Sequence, residues 1–166
     1  MISYILAIFC GFAVLAADQL TKYYIISNFN LGGGRGFIKG IIDIIYINNK
    51  GGAWGILNGY TWALLSITTI VMIICFALLI KLGRKNKILF WSITLVLFGG
   101  LGNMIDRIFR DGNVIDFLHF EFWPQFPIFN IADCAVVVGG ALLIIYFIYD
   151  SLKETKNKKE NAGKSV

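Results

Sequence analysis

Two stretches of this chain, Tyr60 to Ile80 and Ile88 to Ile105, contain no charged residue at all. Apolar runs of that length match the roughly 20 residues needed to cross the hydrocarbon of a bilayer. Two further segments, Ile2 to Ile26 and Phe126 to Tyr149, are equally apolar, except that the first carries Asp18 and Lys22 and the second Asp133. Composition agrees: 57% of the residues are apolar and the mean hydropathy is +0.72, against roughly 45–50% apolar residues in soluble domains. The reading is an all-α integral membrane protein with four transmembrane helices near 2–26, 60–80, 88–106 and 127–149. These make one domain, 1–150, followed by a basic tail, 151–166, expected to be disordered.

The net charge of +5 does not indicate a nucleic-acid partner, because the bases are clustered rather than spread over a face. Four of the 15 lie in Lys81 to Lys87 and five lie from Lys153 onward. Short Lys/Arg-rich segments stay in the cytoplasm, which puts that loop and both termini inside. The connections between spans one and two, and three and four, are then outside. Cys10, Cys75 and Cys134 all fall within spans, odd in number and without a CxxC, so neither a disulfide framework nor a metal cluster is expected. The first segment has no Lys/Arg n-region and places Phe9 before Cys10; it is read as a retained helix rather than a cleaved leader.

The first outer connection holds Gly32, Gly33, Gly34 and Gly36, then the run Ile41 to Ile47, then Asn48 to Gly52. A β-branched run between Gly and Asn clusters predicts strand and turn, hence a small extracytoplasmic β-sheet. The second, Arg107 to Gln125, mixes Phe117, Phe120, Phe122 and Trp123 with Asp116, His119 and Glu121, a composition suited to an interfacial loop-helix.

Polar residues converge on one membrane depth. Asp18 and Lys22 lie in the outer half of span one. Asn103, Asp106 and Arg107 share a face at the outer end of span three, and Asn130 and Asp133 share one at the start of span four. Asp116 lies in the loop just before. A carboxylate in hydrocarbon costs at least roughly 2.5–3.5 kcal/mol, so such residues face a bundle interior and mark function by default. Singly, Asp18 with Lys22 reads as a structural ion pair before a catalytic group, and Asn103 and Asn130 read first as interhelical hydrogen bonds. Asp133 has no base at i±3 or i±4 and needs a partner from elsewhere. Two carboxylates sharing one proton form the aspartic peptidase pair, one activating water and the other protonating the carbonyl side. Other hydrolytic plans lack their parts: there is no HExxH, His119 is the only histidine, and no serine sits in a GxSxG setting. Gly100-Leu101-Gly102-Asn103 falls short of GxGD because Asn replaces the aspartate.

Five segments, Asp18-Gln19-Leu20-Thr21-Lys22, Asn49-Lys50-Gly51-Gly52-Ala53-Trp54, Gly102 to Arg107, Val114-Ile115-Asp116-Phe117 and Phe129 to Asp133, give the chain a close resemblance to bacterial lipoprotein signal peptidase, the type II signal peptidase. The resemblance implies Asp116 and Asp133 as the catalytic dyad, Asn49, Asn103, Arg107 and Asn130 lining the site, and Asp18, Lys22 and Asp106 bracing it. It further implies cleavage of diacylglyceryl-modified prolipoproteins before the lipidated cysteine, in the bacterial cytoplasmic membrane near its outer face. No metal or cofactor is implied, and globomycin-type inhibition is. Gly52 stands where the family usually has Ala. The competing functional classes are a small proton-coupled transporter, with acids as a relay, and a scaffold that binds lipoproteins without cutting them; no internal repeat favours the transporter.

Overall fold

The computed structural model describes residues 1–52 and 59–163. Four helices are long and apolar enough to cross a membrane: α1 (Ile2–Asn28), α2 (Thr61–Leu82), α3 (Lys87–Phe109) and α4 (Ile131–Gly163). In lipid a spanning segment must satisfy its own backbone, which helices do internally. A short 3-10 turn, Gly83–Lys85, joins α2 to α3, and Asn86 caps α3 by accepting from the Ile88 and Leu89 N–H groups at 2.7 and 3.4 Å.

Helix α3 packs against the other three helices, most extensively α4. Glycine permits that closeness: a Cβ on Gly139 would lie 2.7 Å from the Ser92 carbonyl oxygen, so any larger residue forces the helices apart. The remaining faces carry exposed apolar side chains, as lipid-facing helices do; α2 buries only Cys75.

The other end of the bundle carries an antiparallel sheet in the order β1 (Gly34–Ile38), β2 (Ile42–Asn49), β3 (Val114–Phe120). Strand β2 pairs with β3 from Ile42↔Phe120 to Asn49↔Val114. Its buried face, Ile44, Ile115 and Phe117, packs on Ile25 of α1. The expected small sheet is present, but the segment after α3 forms its third strand and not a loop-helix. The reason is local: Asp111 and Gly112, both at positive φ, reverse the chain, and the following Val114-Ile115-Asp116-Phe117 has strand propensity and a partner to pair with.

Two boundaries also differ from expectation. Helix α4 starts at Ile131 rather than 127, because Phe129 is held extended by a bridge to Leu118 of β3 and Asn130 supplies the cap. At its far end it continues through the tail expected to be disordered, as far as Gly163. No proline or glycine interrupts Ser151 to Ala162, and Glu154 and Lys158 stand at the supportive i, i+4 spacing. Ala53 and Trp54 of the second motif lie outside the described residues.

Candidate active site

A buried cluster of charge joins the helices just below the sheet. Lys22 Nζ lies 2.8 Å from Asp18 Oδ2 and 2.9 Å from Asp106 Oδ2, with all three side chains at 0% exposure. Arg110 Nε reaches the other Asp106 oxygen at 3.3 Å, so two carboxylates meet two cations. Buried charges are tolerated only when the remaining lone pairs are also satisfied, and they are. Asp18 Oδ1 accepts from the Ala132 N–H at 2.9 Å and Asp106 Oδ2 from the Ile115 N–H at 3.1 Å. Gln19 Nε2 donates to Asp18, Asp106 and the Gly102 carbonyl at 3.1–3.2 Å. The cluster therefore pins α1 and α3 to the start of α4 and to β3. Only glycine fits at position 102, where a Cβ would lie 2.7 Å from Asp18 Oδ2.

Above this cluster, Asn130 links two more aspartates. Its Oδ1 accepts from the Asp133 N–H at 2.9 Å, and the Asp133 carboxylate accepts from the Asn130 N–H at 3.1 Å. This reciprocal pair is a capping box for α4. Because the Asn130 oxygen is engaged there, its Nδ2 points the other way and donates to Asp116 Oδ1 at 2.6 Å. Asn49 works alike: its Oδ1 accepts from the Gly51 N–H at 2.9 Å, which turns its Nδ2 onto Asp116 Oδ2 at 2.8 Å. Asn103 Nδ2 donates to Asp133 Oδ1 at 2.7 Å. Among the described residues each aspartate thus receives two donors, and none of them is charged.

Asp116 is almost completely buried, and its carboxyl is pushed up to about 7. Burial is the main cause and the charge of Asp133 adds to it, while the Asn49 and Asn130 hydrogen bonds and the Lys22 charge oppose it. Both aspartates line a cleft of about 580 Å³. Arg107 lines it too, with its Nε buried and lacking a hydrogen-bond partner among the described residues. The opposite wall is apolar, formed by Phe120, Phe126 and Phe129 in mutual ring contact, and the cleft continues along Val137 and Val138 on the exposed face of α4. A second hollow of about 630 Å³ shares Asn49, Gly52, Phe126 and Pro127 with the cleft.

A family model described as Signal peptidase (SPase) II matches residues 10–149. The chain belongs to the signal peptidase II family. A lipoprotein signal peptidase from Bacillus pumilus (strain SAFR-032) is 43% identical over 157 residues, 94% of this chain and 97% of that protein. Two solved structures, each described as a bacterial membrane enzyme, superpose with TM-scores of 0.83 and 0.80 at 35% and 36% identity. They cover 88% and 87% of this chain, and 89% and 94% of theirs. Family membership and the four apolar helices together make this a multi-pass bacterial membrane peptidase.

All nine residues singled out from the sequence fall into these two connected groups. Asp18, Lys22 and Asp106 form the charge cluster. Asn49, Asn103, Arg107, Asp116, Asn130 and Asp133 line or support the cleft. Gln19 and Arg110 were not singled out. Arg110 carries a readable signal, a base four residues after Asp106, whereas Gln19 differs in no visible way from any polar residue beside an acid. The backbone donors of Ile115 and Ala132 have no sequence signal at all.

Proposed function

We propose that the protein is an aspartyl endopeptidase that removes the signal peptide from diacylglyceryl-modified prolipoproteins, cutting on the N-terminal side of the lipidated cysteine. The observation that carries this reading is Asn130, whose side chain donates to the Asp116 carboxyl and whose backbone N–H donates to the Asp133 carboxyl, so that one residue holds both over one cleft. The charge of Asp133 raises the Asp116 carboxyl, so the two acids titrate as a pair, one charged while the other holds a proton. Their charged member takes a proton from a bound water as it attacks the scissile carbonyl. The protonated member gives its proton to the carbonyl oxygen, and as the tetrahedral intermediate collapses the member that took the water proton passes it to the leaving amine while the carbonyl proton returns to its donor. A carboxyl at about 7 is suited to trade protons at neutral pH. Arg107, with donors to spare, holds a substrate carbonyl.

The walls fit the proposed substrate. A signal helix and acyl chains arrive from the lipid, along the exposed Val137 and Val138 of α4, and the more polar second hollow takes the peptide beyond the cysteine. Both termini are then cytoplasmic and the cleft lies near the extracytoplasmic face. Globomycin-type inhibitors occupy the same cleft. The test is cleavage of a diacylglyceryl-modified prolipoprotein by purified protein in detergent. Asp116→Asn and Asp133→Asn are expected to fold and to lose activity by a factor on the order of 10²–10⁴ or more. Near-normal cleavage by either variant removes the dyad assignment, and absence of cleavage by the wild type returns the binding-only reading.

A further inference from the structure

We propose that Lys22 is a positioning residue for the cleavage reaction: by donating to Asn103 it fixes which way that amide faces and thereby keeps Asp133 as the ionised member of the pair. The inference rests on the aspartyl reading above and goes beyond the bracing role, which involves only Asp18 and Asp106.

An ammonium group has three hydrogens and no acceptor. Lys22 spends its donors on Asp18, Asp106 and Asn103 Oδ1, the last at 3.0 Å. Whatever faces Lys22 from position 103 must therefore be the amide oxygen, so the amide nitrogen faces Asp133, at 2.7 Å from Oδ1. A flipped amide would present its oxygen to Asp133, and that contact is favourable only if Asp133 carries a proton. Asn130 Nδ2 also donates to Asn103 Oδ1, at 3.0 Å, but cannot secure the orientation alone. Its two hydrogens face three acceptors: Asn103 Oδ1, Asp116 Oδ1 at 2.6 Å and the Ile115 carbonyl at 3.4 Å.

Position adds to this asymmetry. Asp133 stands in the first turn of α4 and accepts from a backbone N–H, a place that favours the anion. Asp116 sits on a strand and, among the described residues, is bonded by neutral amides. Among the described residues, the charged and titratable groups facing Asp133 are Asp18 and Lys22 from α1, Arg107 from α3, Asp116 from β3 and Cys134 from its own helix. Among the described hydrogen bonds, Lys22 reaches Asp133 through the Asn103 amide. Asp133 is then the base toward water, and Asp116 carries the proton that goes to the substrate carbonyl.

The experiment uses the full-length protein in detergent and reads kcat and KM against pH with a diacylglyceryl-modified prolipoprotein. Lys22→Met is made with Asp18→Asn and, separately, with Asp106→Asn, so that one charge of each sign leaves the cluster and a folded protein is retained. Melting is recorded for each variant, and either double variant suffices if the other does not fold. The expected result is an acid limb of kcat moved to higher pH by about one unit, with KM within about twofold of wild type. Asp18→Asn alone retains the Lys22 bond to Asn103 and is expected to show no such rise. An acid limb that stays in place while kcat falls makes Lys22 a strut and overturns the proposal, as does an equal rise in Asp18→Asn alone. Failure of the underlying dyad is read separately, as full cleavage by Asp116→Asn or Asp133→Asn.

Discussion

At Asp116 chemistry and stability pull in opposite directions. An unfolded aspartate titrates near 3.8, but in the fold this one is pushed up to about 7. Between those values the unfolded chain is ionised while the native protein holds its proton. Native stability therefore falls as pH rises through the window, by at most about 1.4 kcal/mol per pH unit, and is constant above it. Asp116→Asn does not titrate. Its melting temperature relative to wild type is expected to rise from pH 4 to pH 7 and then level off, measured by thermal unfolding in one detergent across pH. A difference independent of pH would show that burial does not raise this carboxyl.

Among the elements, the turn between β2 and α2 is the most exacting. Asn49 is both its anchor and a ligand of Asp116, closing an Asx-type turn onto Gly51 while its amide reaches the carboxyl. Gly52 follows at φ +68°, and a Cβ there would lie 3.3 Å from Leu64. Gly52→Ala is therefore expected to cost about 1 kcal/mol and to lower cleavage through Asn49, checked by melting and by turnover side by side. An alanine variant as stable and active as wild type would mean the turn tolerates another geometry. The elements were unevenly legible in sequence. The uncharged runs marked α2 and α3 plainly, and the Gly and Asn clusters marked the sheet. Strand β3 was hidden because its aromatic and charged residues suit an interfacial helix equally well, and only its pairing with β2 decides. The start of α4 required recognising Asn130 as a cap three residues before Asp133, a signal present but overshadowed by the apolar residues before it.

For the molecule as a whole, the convergence of polar groups was readable because span direction follows from Lys/Arg-rich loops, and direction assigns each residue a depth. Which residues then touch was not readable, because rotation of each helix about its axis is set by close approaches such as Gly102 against Asp18. The orientation predicts that a cysteine placed at Asn86 is labelled by a membrane-impermeant thiol reagent only from the cytoplasmic side, and one at Asp111 only from the other. Equal labelling from both sides would reject it. The cluster predicts that Lys22→Met alone, which leaves two buried carboxylates facing each other, costs about 3–5 kcal/mol, read by denaturation, and that the charge-matched double variants recover most of it. Finally, the capping box ties Asp133, one of the two proposed catalytic acids, to the first turn of α4. A lineage under attack by a compound that binds Asn130 or Asp133 has no free escape at those two positions, because a substitution that removes the capping bonds also costs about 1 kcal/mol at the start of its own helix. Resistance mutations will concentrate in the aromatic wall of Phe120, Phe126 and Phe129 instead.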